Sequence, residues 1–474
     1  MLEGLEVSII EYSKLNFEKR FDPEYFQKEY LRLNAVIEAK PNVRIGDFAF
    51  ITDGIHTSID YCEESNINLI SAASPQQNTF NLSRQVFISE VAHAKNPRTA
   101  LKLNDVIIST VGTIGNCAVV DESILPANSD RHVGIIRINK DVSPYYLSTF
   151  LLTKYGRFQT LRESTGNVQL NLFIYKIGLL QVPSVSRDFQ SLIESTVKNG
   201  HKLIEQSKTS YAQAEQTLLE AVRLSPSSPA LLPEGEGVNI NIKTFAQSFG
   251  TSGRLDAEYY QPKYEAMMAK IASQTHARLV DVVKIKKSIE PGSDAYADEG
   301  LPFIRVSDFS KHGLTTPDKC LSDAYVQDNH TLLESLKPKA KTVLFSKDGS
   351  VGTAYLLRED LHGVTSGAIL HLSLKRDDVL PEYLTLVLNS QLVQMQAERD
   401  AGGSIILHWR VGEIENVILP IIDLTTQTNI SQLVHTSFTL KAQSEHLLNV
   451  AKRAVEMAIE LDEASAMAWI AEQE

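Results

Sequence analysis

The feature that most constrains this chain is that it is written twice. Arg20–Phe26 reads R-F-D-P-E-Y-F, and 234 residues later Arg254–Tyr260 reads R-L-D-A-E-Y-Y. V-I-I-S-T-V-G-T-I-G-N at Val106–Asn116 is answered at an offset of 237 by V-L-F-S-K-D-G-S-V-G-T at Val343–Thr353. The same offset pairs Ser143–Leu147 with Leu380–Leu384, Gly166 with Gly403, Ile177 with Ile414 and Pro183 with Pro420. It continues through Ile193/Ile430, Val197/Val434, Leu203/Leu440 and Ala221/Ala458. Only the middle segments, 51–100 and 285–335, have little in common. Self-similarity at so long a period means a tandem duplication of whole domains, because each half is long enough to bury its own core. The two repeats share a framework and differ in an insert.

Each repeat has two parts. The first reads as mixed α/β: short β-branched runs (Val106–Ser109, Val119–Val120, Gly134–Ile138) are bounded by Gly and Asp, and Pro144 and Pro381 sit where helices would begin. The second part is a long helix, expected over 188–224 and again over 425–466. In the first, Ile193, Val197, Gly200, Ile204, Ser207, Tyr211, Ala214, Leu218 and Ala221 keep a 4-3-4-3 spacing, a heptad seam with two small residues in it. The second keeps Ile430, Val434, Leu448, Ala451, Val455 and Ala458 in the same register, with Lys441 and Ser444 interrupting. Stripes of this kind are unstable when exposed, so the two helices are expected to pair. Ser225–Gly237, rich in Pro, Ser and Gly, reads as a linker. The predicted organisation is a domain over 1–186, a helix over 187–225, a linker over 226–242, a domain over 243–423, and a helix with its tail over 424–474.

Composition excludes several classes. No apolar run approaches the roughly 20 residues that span a bilayer, and the first ten residues carry two Glu and no basic residue, unlike a secretory leader. Cys62, Cys117 and Cys320 are odd in number and far apart, which argues against a disulfide framework and fits a reducing cytoplasm. The net charge of −12 is concentrated toward the C-terminus, where residues 423–474 hold 3 basic and 8 acidic side chains. The larger blocks are nearly neutral, so nucleic-acid binding by such a chain would lean on a basic partner. There is no phosphate loop, dinucleotide fingerprint or H-E-x-x-H, and G-T-I-G at 112–115 and G-S-V-G at 349–352 read as tight turns. Ser143-Pro-Tyr-Tyr146 and Leu380-Pro-Glu-Tyr383 are explained by helix starts. His56, His93, His132, His312 and His408 have no repeat-related His, so no shared metal or catalytic site is expected.

With these motifs in order, the chain resembles the specificity subunit of type I restriction–modification systems. Asn104–Val120 is similar to that family's G-D-[VI]-L-[IL]-[ST]-x-x-G-[ST]-[IV]-G stretch, with Asn104 in place of the Gly. Thr165–Leu172, followed by Leu180–Pro183 and a long helix, is similar to the end of a target recognition domain. The second repeat departs at Lys347-Asp348, in place of Thr110-Val111, and at His408-Trp409-Arg410, in place of Asn171-Leu172-Phe173. The resemblance implies an α/β (α+β) architecture: two target recognition domains, each followed by a long helix, the helices pairing as an antiparallel coiled coil. It also implies a non-catalytic subunit. Each domain would read one half of a bipartite double-stranded DNA target, while the coiled coil sets the spacer and docks adenine methyltransferase subunits and, through them, restriction/translocase subunits. S-adenosylmethionine, ATP and Mg²⁺ would then sit on those partners, with no cofactor or metal on this chain.

Asn and Gln bond adenine, and Arg guanine, through paired hydrogen bonds in the major groove. On that chemistry the DNA-contacting candidates of the first domain are Thr57, Ser58, Gln76, Gln77, Asn78, Arg84, Thr110, Thr113, Asn116, Asn128, Arg131, Asn167 and Gln169. Those of the second are Lys286, Lys287, Arg305, Ser307, Lys311, Lys347, Ser350, Ser404, His408 and Arg410. Arg20 with Asp22 and Arg254 with Asp256 recur in both repeats and read as structural pairs or partner contacts. Trp409 reads as a core anchor. Met467, Trp469 and Ile470 in the acidic tail suggest a partner contact. Two rival readings stay open at this point: a nuclease with duplicated catalytic domains, and a scaffold whose two modules grip proteins instead of DNA.

Overall fold

The computed structural model describes residues 7–15, 20–82, 85–166, 169–224, 240–403 and 406–473. The chain divides into two compact units: Met1–Glu205 with Lys441–Glu474, and Gln206–Leu440. The division falls inside both long helices, so each unit holds one α/β repeat and a part of each helix.

In the first unit a four-stranded antiparallel sheet runs in the order Ala49–Asp53, Val133–Ile138, Val106–Ser109, Cys117–Val119. Alternate residues along a strand face opposite sides, and here both sides are covered. Val106, Ile108 and Ile136 enter the main core with the helices Pro144–Leu152 and Lys154–Glu163. Ile107, Val133 and Ile135 enter a second core with Ile70, Leu101 and Ala127 of the insert. That two-sided burial is why these strands are unbroken apolar runs. The second unit repeats the order with Val283–Lys287, Ile369–Leu374, Val343–Ser346 and Ala354–Leu356. Its alternation is the same: Val343, Phe345, Leu370 and Leu372 face one core, and Leu344 and Ile369 face the other.

The inserts depart from expectation: dissimilar in sequence, they share a fold. In the first unit Phe87–Ile88 pairs antiparallel with Ile67–Ile70, which pairs parallel with Ala127–Ser129. In the second, Cys320–Leu321 pairs antiparallel with Leu301–Ile304, which pairs parallel with Val364–Thr365. Each short outer strand leads into a one-turn-and-a-half helix, Glu90–Lys95 or Asp323–Asp328, capped by Ser89 or Ser322 accepting from the backbone N–H three residues on. The second insert adds the strand Tyr296–Ala297, the hairpin Phe309–Ser310/Gly313–Leu314 and the helix His330–Leu336.

The helix starts at Pro144 and Pro381 are as read. Tyr146 and Tyr383 each donate a 2.7 Å hydrogen bond to the carbonyl of Pro183 and Pro420, tying the helix to the strand that closes each domain. The long helices are Arg187–Ala221 and Leu424–Glu460. Within the first unit, Ser444 Oγ donates to the Gly200 carbonyl at 2.7 Å, and a Cβ on Gly200 would lie 3.2 Å from Leu448. Phe189, Ile193 and Val197 share a core with Ala451, Ala454, Val455 and Ala458. Within the second, Ser207 Oγ donates to the Ser437 carbonyl at 2.7 Å, and Tyr211, Ala214 and Leu218 share a core with Ile430 and Val434. Small residues thus let the backbones approach, and their hydroxyls are satisfied across the seam.

The second helix ends at Glu460, short of the expected 466. Asp462 caps a new helix, Glu463–Gln473, by accepting from Ser465 N–H at 2.8 Å. That helix buries Ala466 and Ile470 and half-buries Met467 and Trp469 against the core of its own unit. The tail's apolar residues therefore pack on this chain, and the reading of them as a partner contact is withdrawn. Among the described residues no helix is long and apolar enough to cross a membrane.

Candidate nucleic-acid interface

The framework of the site is built identically in both units. The G-T-I-G and G-S-V-G turns hold Gly112 and Gly115 at φ +71° and +79°, and Gly349 and Gly352 at +71° and +81°. A side chain at Gly115 would strike Thr160, and one at Gly352 would strike Gln394, so these positions are closed by both conformation and space. A second strap crosses each turn. Leu172 N–H donates to the Thr110 carbonyl at 2.9 Å, and Trp409 N–H to the Lys347 carbonyl at 2.7 Å. Each strap is itself pinched by Gly166 or Gly403, at φ +135° and +131°, through paired bonds between Thr165 and Asn171 or between Gly402 and His408. Trp409, fully buried against Phe345, anchors the second strap where Leu172 anchors the first.

Around the first turn the expected residues separate by burial. Thr57, Ser58, Gln76, Gln77, Thr113, Arg131 and Gln169 are exposed, and Asn116 is half-buried under the Arg157 guanidinium at 3.1 Å. A shallow depression brings Thr113 and Gln169 together with Ala72, Ala73, Val111, Gly112 and His132. His132 is a member that side-chain chemistry alone did not nominate; its neighbour in sequence, Arg131, was the only pointer. Burial raises Asp130 above the usual carboxylate range, against hydrogen bonds from His132 that lower it.

Three expected contacts are corrected. Asn78 is buried, donates to Thr149 Oγ1 at 3.0 Å and accepts from Ser148. Asn128 is fully buried, with its amide on Thr99 Oγ1 at 2.8 Å and the Asn96 carbonyl at 3.1 Å. Thr110 is buried beneath the strap. Short polar side chains of this kind satisfy the backbone and hydroxyls of a turn-rich segment instead of facing solvent. Arg84, Asn167 and Ser404 lie outside the described residues.

In the second unit Lys286, Lys287, Ser307, Ser350, His408 and Arg410 are exposed. Lys286 Nζ reaches the Ser335 carbonyl, Ser307 Oγ donates to Asp308 at 3.0 Å, and Arg410 lies 3.9 Å from Glu413. Three more candidate cations are matched by this unit's own carboxylates. Arg305 pairs with Asp308 at 3.4 Å and with Asp318, Lys311 with Glu215 at 3.5 Å while lying over the Tyr211 ring, and Lys347 with Asp348. Asp348 also receives His408 Nδ1 at 2.8 Å.

The recurring Arg–Asp pairs are structural. Arg20 forks onto Asp22, reaches the Arg162 carbonyl at 3.2 Å, and like Arg162 lies over the Tyr25 ring. Arg254 forks onto Asp256, reaches the Asp400 carbonyl at 3.0 Å, and like Arg399 lies over the Tyr259 ring. The side-chain hydrogen bonds from the arginines hold both aspartates below the usual carboxylate range. Asp47 and Asp281 bond to Arg44 N–H and the Arg278 side chain. Burial pushes the Cys117 thiol up to about 12, an inert core residue. Among the described residues no group of three or more His, Cys, Asp or Glu is placed to hold a metal ion. The surface offers amides, hydroxyls, imidazoles and guanidinium groups on loops, a hydrogen-bonding repertoire.

Residues 275–451 match the family model described as "Type I restriction modification DNA specificity domain". No curated protein matches the chain. Among solved structures, the chain is similar to the S subunit of a type I restriction-modification system from M. genitalium, with 11% identity over 89% of this chain and 95% of that one, at a TM-score of 0.40. The HsdS subunit from Thermoanaerobacter tengcongensis is 16% identical over 89% and 97%, with a TM-score of 0.28. A structure titled for complex assembly and conformational transition of the type I R-M system is 15% identical over 89% and 98%, at 0.30.

Proposed function

We propose that this chain is the DNA specificity subunit of a type I restriction–modification system, with each repeat reading one half of a two-part target. The observation that carries the reading is the match of residues 275–451 to the specificity-domain model, taken with the duplication that gives the first repeat the same turn and strap. Two domains with one framework and divergent loops suit two different short sequences, since each base pair demands its own donors and acceptors. In this reading the exposed candidates, among them Gln76, Gln77, Thr113, Arg131, Gln169, Lys287, Ser350, His408 and Arg410, face DNA. The long helices pair as an antiparallel coiled coil that sets the spacer and docks methyltransferase subunits. Chemistry belongs to those partners: S-adenosylmethionine on the modification subunits, ATP and Mg²⁺ on restriction/translocase subunits. The setting is the cytoplasm. With a net charge of −12 the chain has little phosphate-neutralising power of its own, so the partner supplies most of the non-specific affinity.

The test is to co-express the chain with its cognate adenine methyltransferase and map methyl-adenine across the host genome. Methylation confined to a two-part motif with a fixed gap is expected, and replacing residues 51–135 changes one half of it only. A stable complex that methylates no such motif would overturn the proposal in favour of a protein-binding scaffold.

A further inference from the structure

The second repeat departs from the first at two places 60 residues apart, and the fold brings them face to face. Val111 bridges Asn171 in the first unit, and Asp348 bridges His408 in the second, as equivalent antiparallel pairs. Each pair sits beside the strap bond from Leu172 or Trp409, so its two side chains project on the same side of the ribbon. The main chain around the pairs follows one plan: the glycine angles, the strap bonds and the closing pinch agree between units. The displayed side chains differ: an aliphatic and an amide in one unit, a carboxylate and an imidazole in the other.

We propose that these bridged pairs, Val111/Asn171 and Asp348/His408, are specificity-determining positions, each contributing to the readout of one half-site. The inference rests on the DNA-reading function proposed above and names where the two domains are told apart. In the second unit the geometry also points to the base chemistry. Asp348 accepts from His408 Nδ1 at 2.8 Å through one carboxylate oxygen and from Lys347 through the other. A carboxylate only accepts, so the neutral imidazole tautomer that matches this bond carries its proton on Nδ1. In that tautomer Nε2 is the acceptor, on a ring 63% exposed. An acceptor held there suits the exocyclic amino group of adenine or cytosine in the major groove, the only donors those edges offer. In the first unit Asn171 offers both donor and acceptor, and Val111 offers a surface for a thymine methyl group.

The experiment uses the full chain co-expressed with its methyltransferase, read by genome-wide methyl-adenine mapping. Asp348→Val with His408→Asn gives the second unit the first unit's pair. It is expected to change or relax one position in a single half-site, with methylation of the original motif falling at least tenfold and the other half-site unchanged. Val111→Asp with Asn171→His should do the same to the opposite half. His408→Ala, at an exposed position, removes Nε2 without touching the core and should lower methylation of the original motif by a similar factor. If the wild-type complex yields a two-part motif and all three variants reproduce it at full efficiency, the pairs do not read DNA and the inference is overturned. If the wild-type complex yields no two-part motif, the specificity reading itself fails.

Discussion

Ile135 and His371 occupy the same place in the two sheets. Each lies one residue before the partner of the equivalent central strand, where Val106 pairs with Ile136 and Val343 with Leu372. Ile135 is fully buried in an apolar cluster. His371 is also buried, and its Nε2 lies 2.8 Å from Thr365 Oγ1. The residue in the place of Thr365 in the first unit is Ser129, paired with Ile70 as Thr365 is with Ile304. With no imidazole beside it, the Ser129 hydroxyl is buried without a hydrogen-bond partner. One duplication thus yields a polar pair on one side and an apolar residue with an orphaned hydroxyl on the other. The framework tolerates either, but the two solutions respond differently to mutation and to acid.

The largest expected effect probes the anchors of the straps. Trp409→Ala should cost the second unit about 3–5 kcal/mol through the cavity left beside Phe345, and Trp409→Leu, which installs the first unit's residue, should cost less because it also removes an indole N–H that is buried without a partner. Hydrogen exchange followed separately over 343–346 and 106–109 reads this out. Equal loss of protection in both strands would show that the units do not differ there.

Next is acid. Burial lowers His371 to about 4, with a smaller contribution from Lys286. The unfolded chain, with its histidine near 6.5, takes up the proton more readily than the folded one. The second unit is therefore at full stability above about pH 6.5 and loses it as the pH falls toward 4, by about 3 kcal/mol in all. His371→Ile should flatten that window, and Ile135→His should create it in the first unit. Urea titrations at pH 7 and pH 4.5 decide the matter, and identical pH dependence of wild type and His371→Ile would break the comparison.

The smallest effect concerns the turn before each central strand. Asn104 and Lys341 stand at equivalent places with φ +68° and +67°. Asn visits that region readily, while Lys does so at a cost. Lys341→Gly should raise stability by about 0.5–1 kcal/mol, and Asn104→Gly should be close to neutral; a rise in melting temperature for the first alone is the expected result.

Much of this molecule was legible from residue order. The offset of 237 aligned the central strands, the proline-led helices and the two turns, because glycine at positive φ, proline at N1 and doubly buried strands each leave residue types that survive divergence. The shared fold of the inserts was not legible. Their strands are two to four residues long, too short for periodicity, and the parallel partner of Ile67–Ile70 lies almost 60 residues downstream. The break after Glu460 hid behind a continuous apolar pattern, and only Asp462 with Ser465 marked it. At the candidate interface, residue type nominated Asn78 and Asn128 as readily as Gln76 and Gln169. What separates them is whether a neighbouring hydroxyl or carbonyl is within reach, which is a property of tertiary structure.

The strap and turn are closed by main-chain bonds, and a main-chain bond is indifferent to the side chain it carries. A codon change at 348 or 408 can therefore revise what the rim displays while the protein still folds and accumulates as before. Display and folding are thereby under separate control, so the outer face can vary while the framework beneath it stays intact.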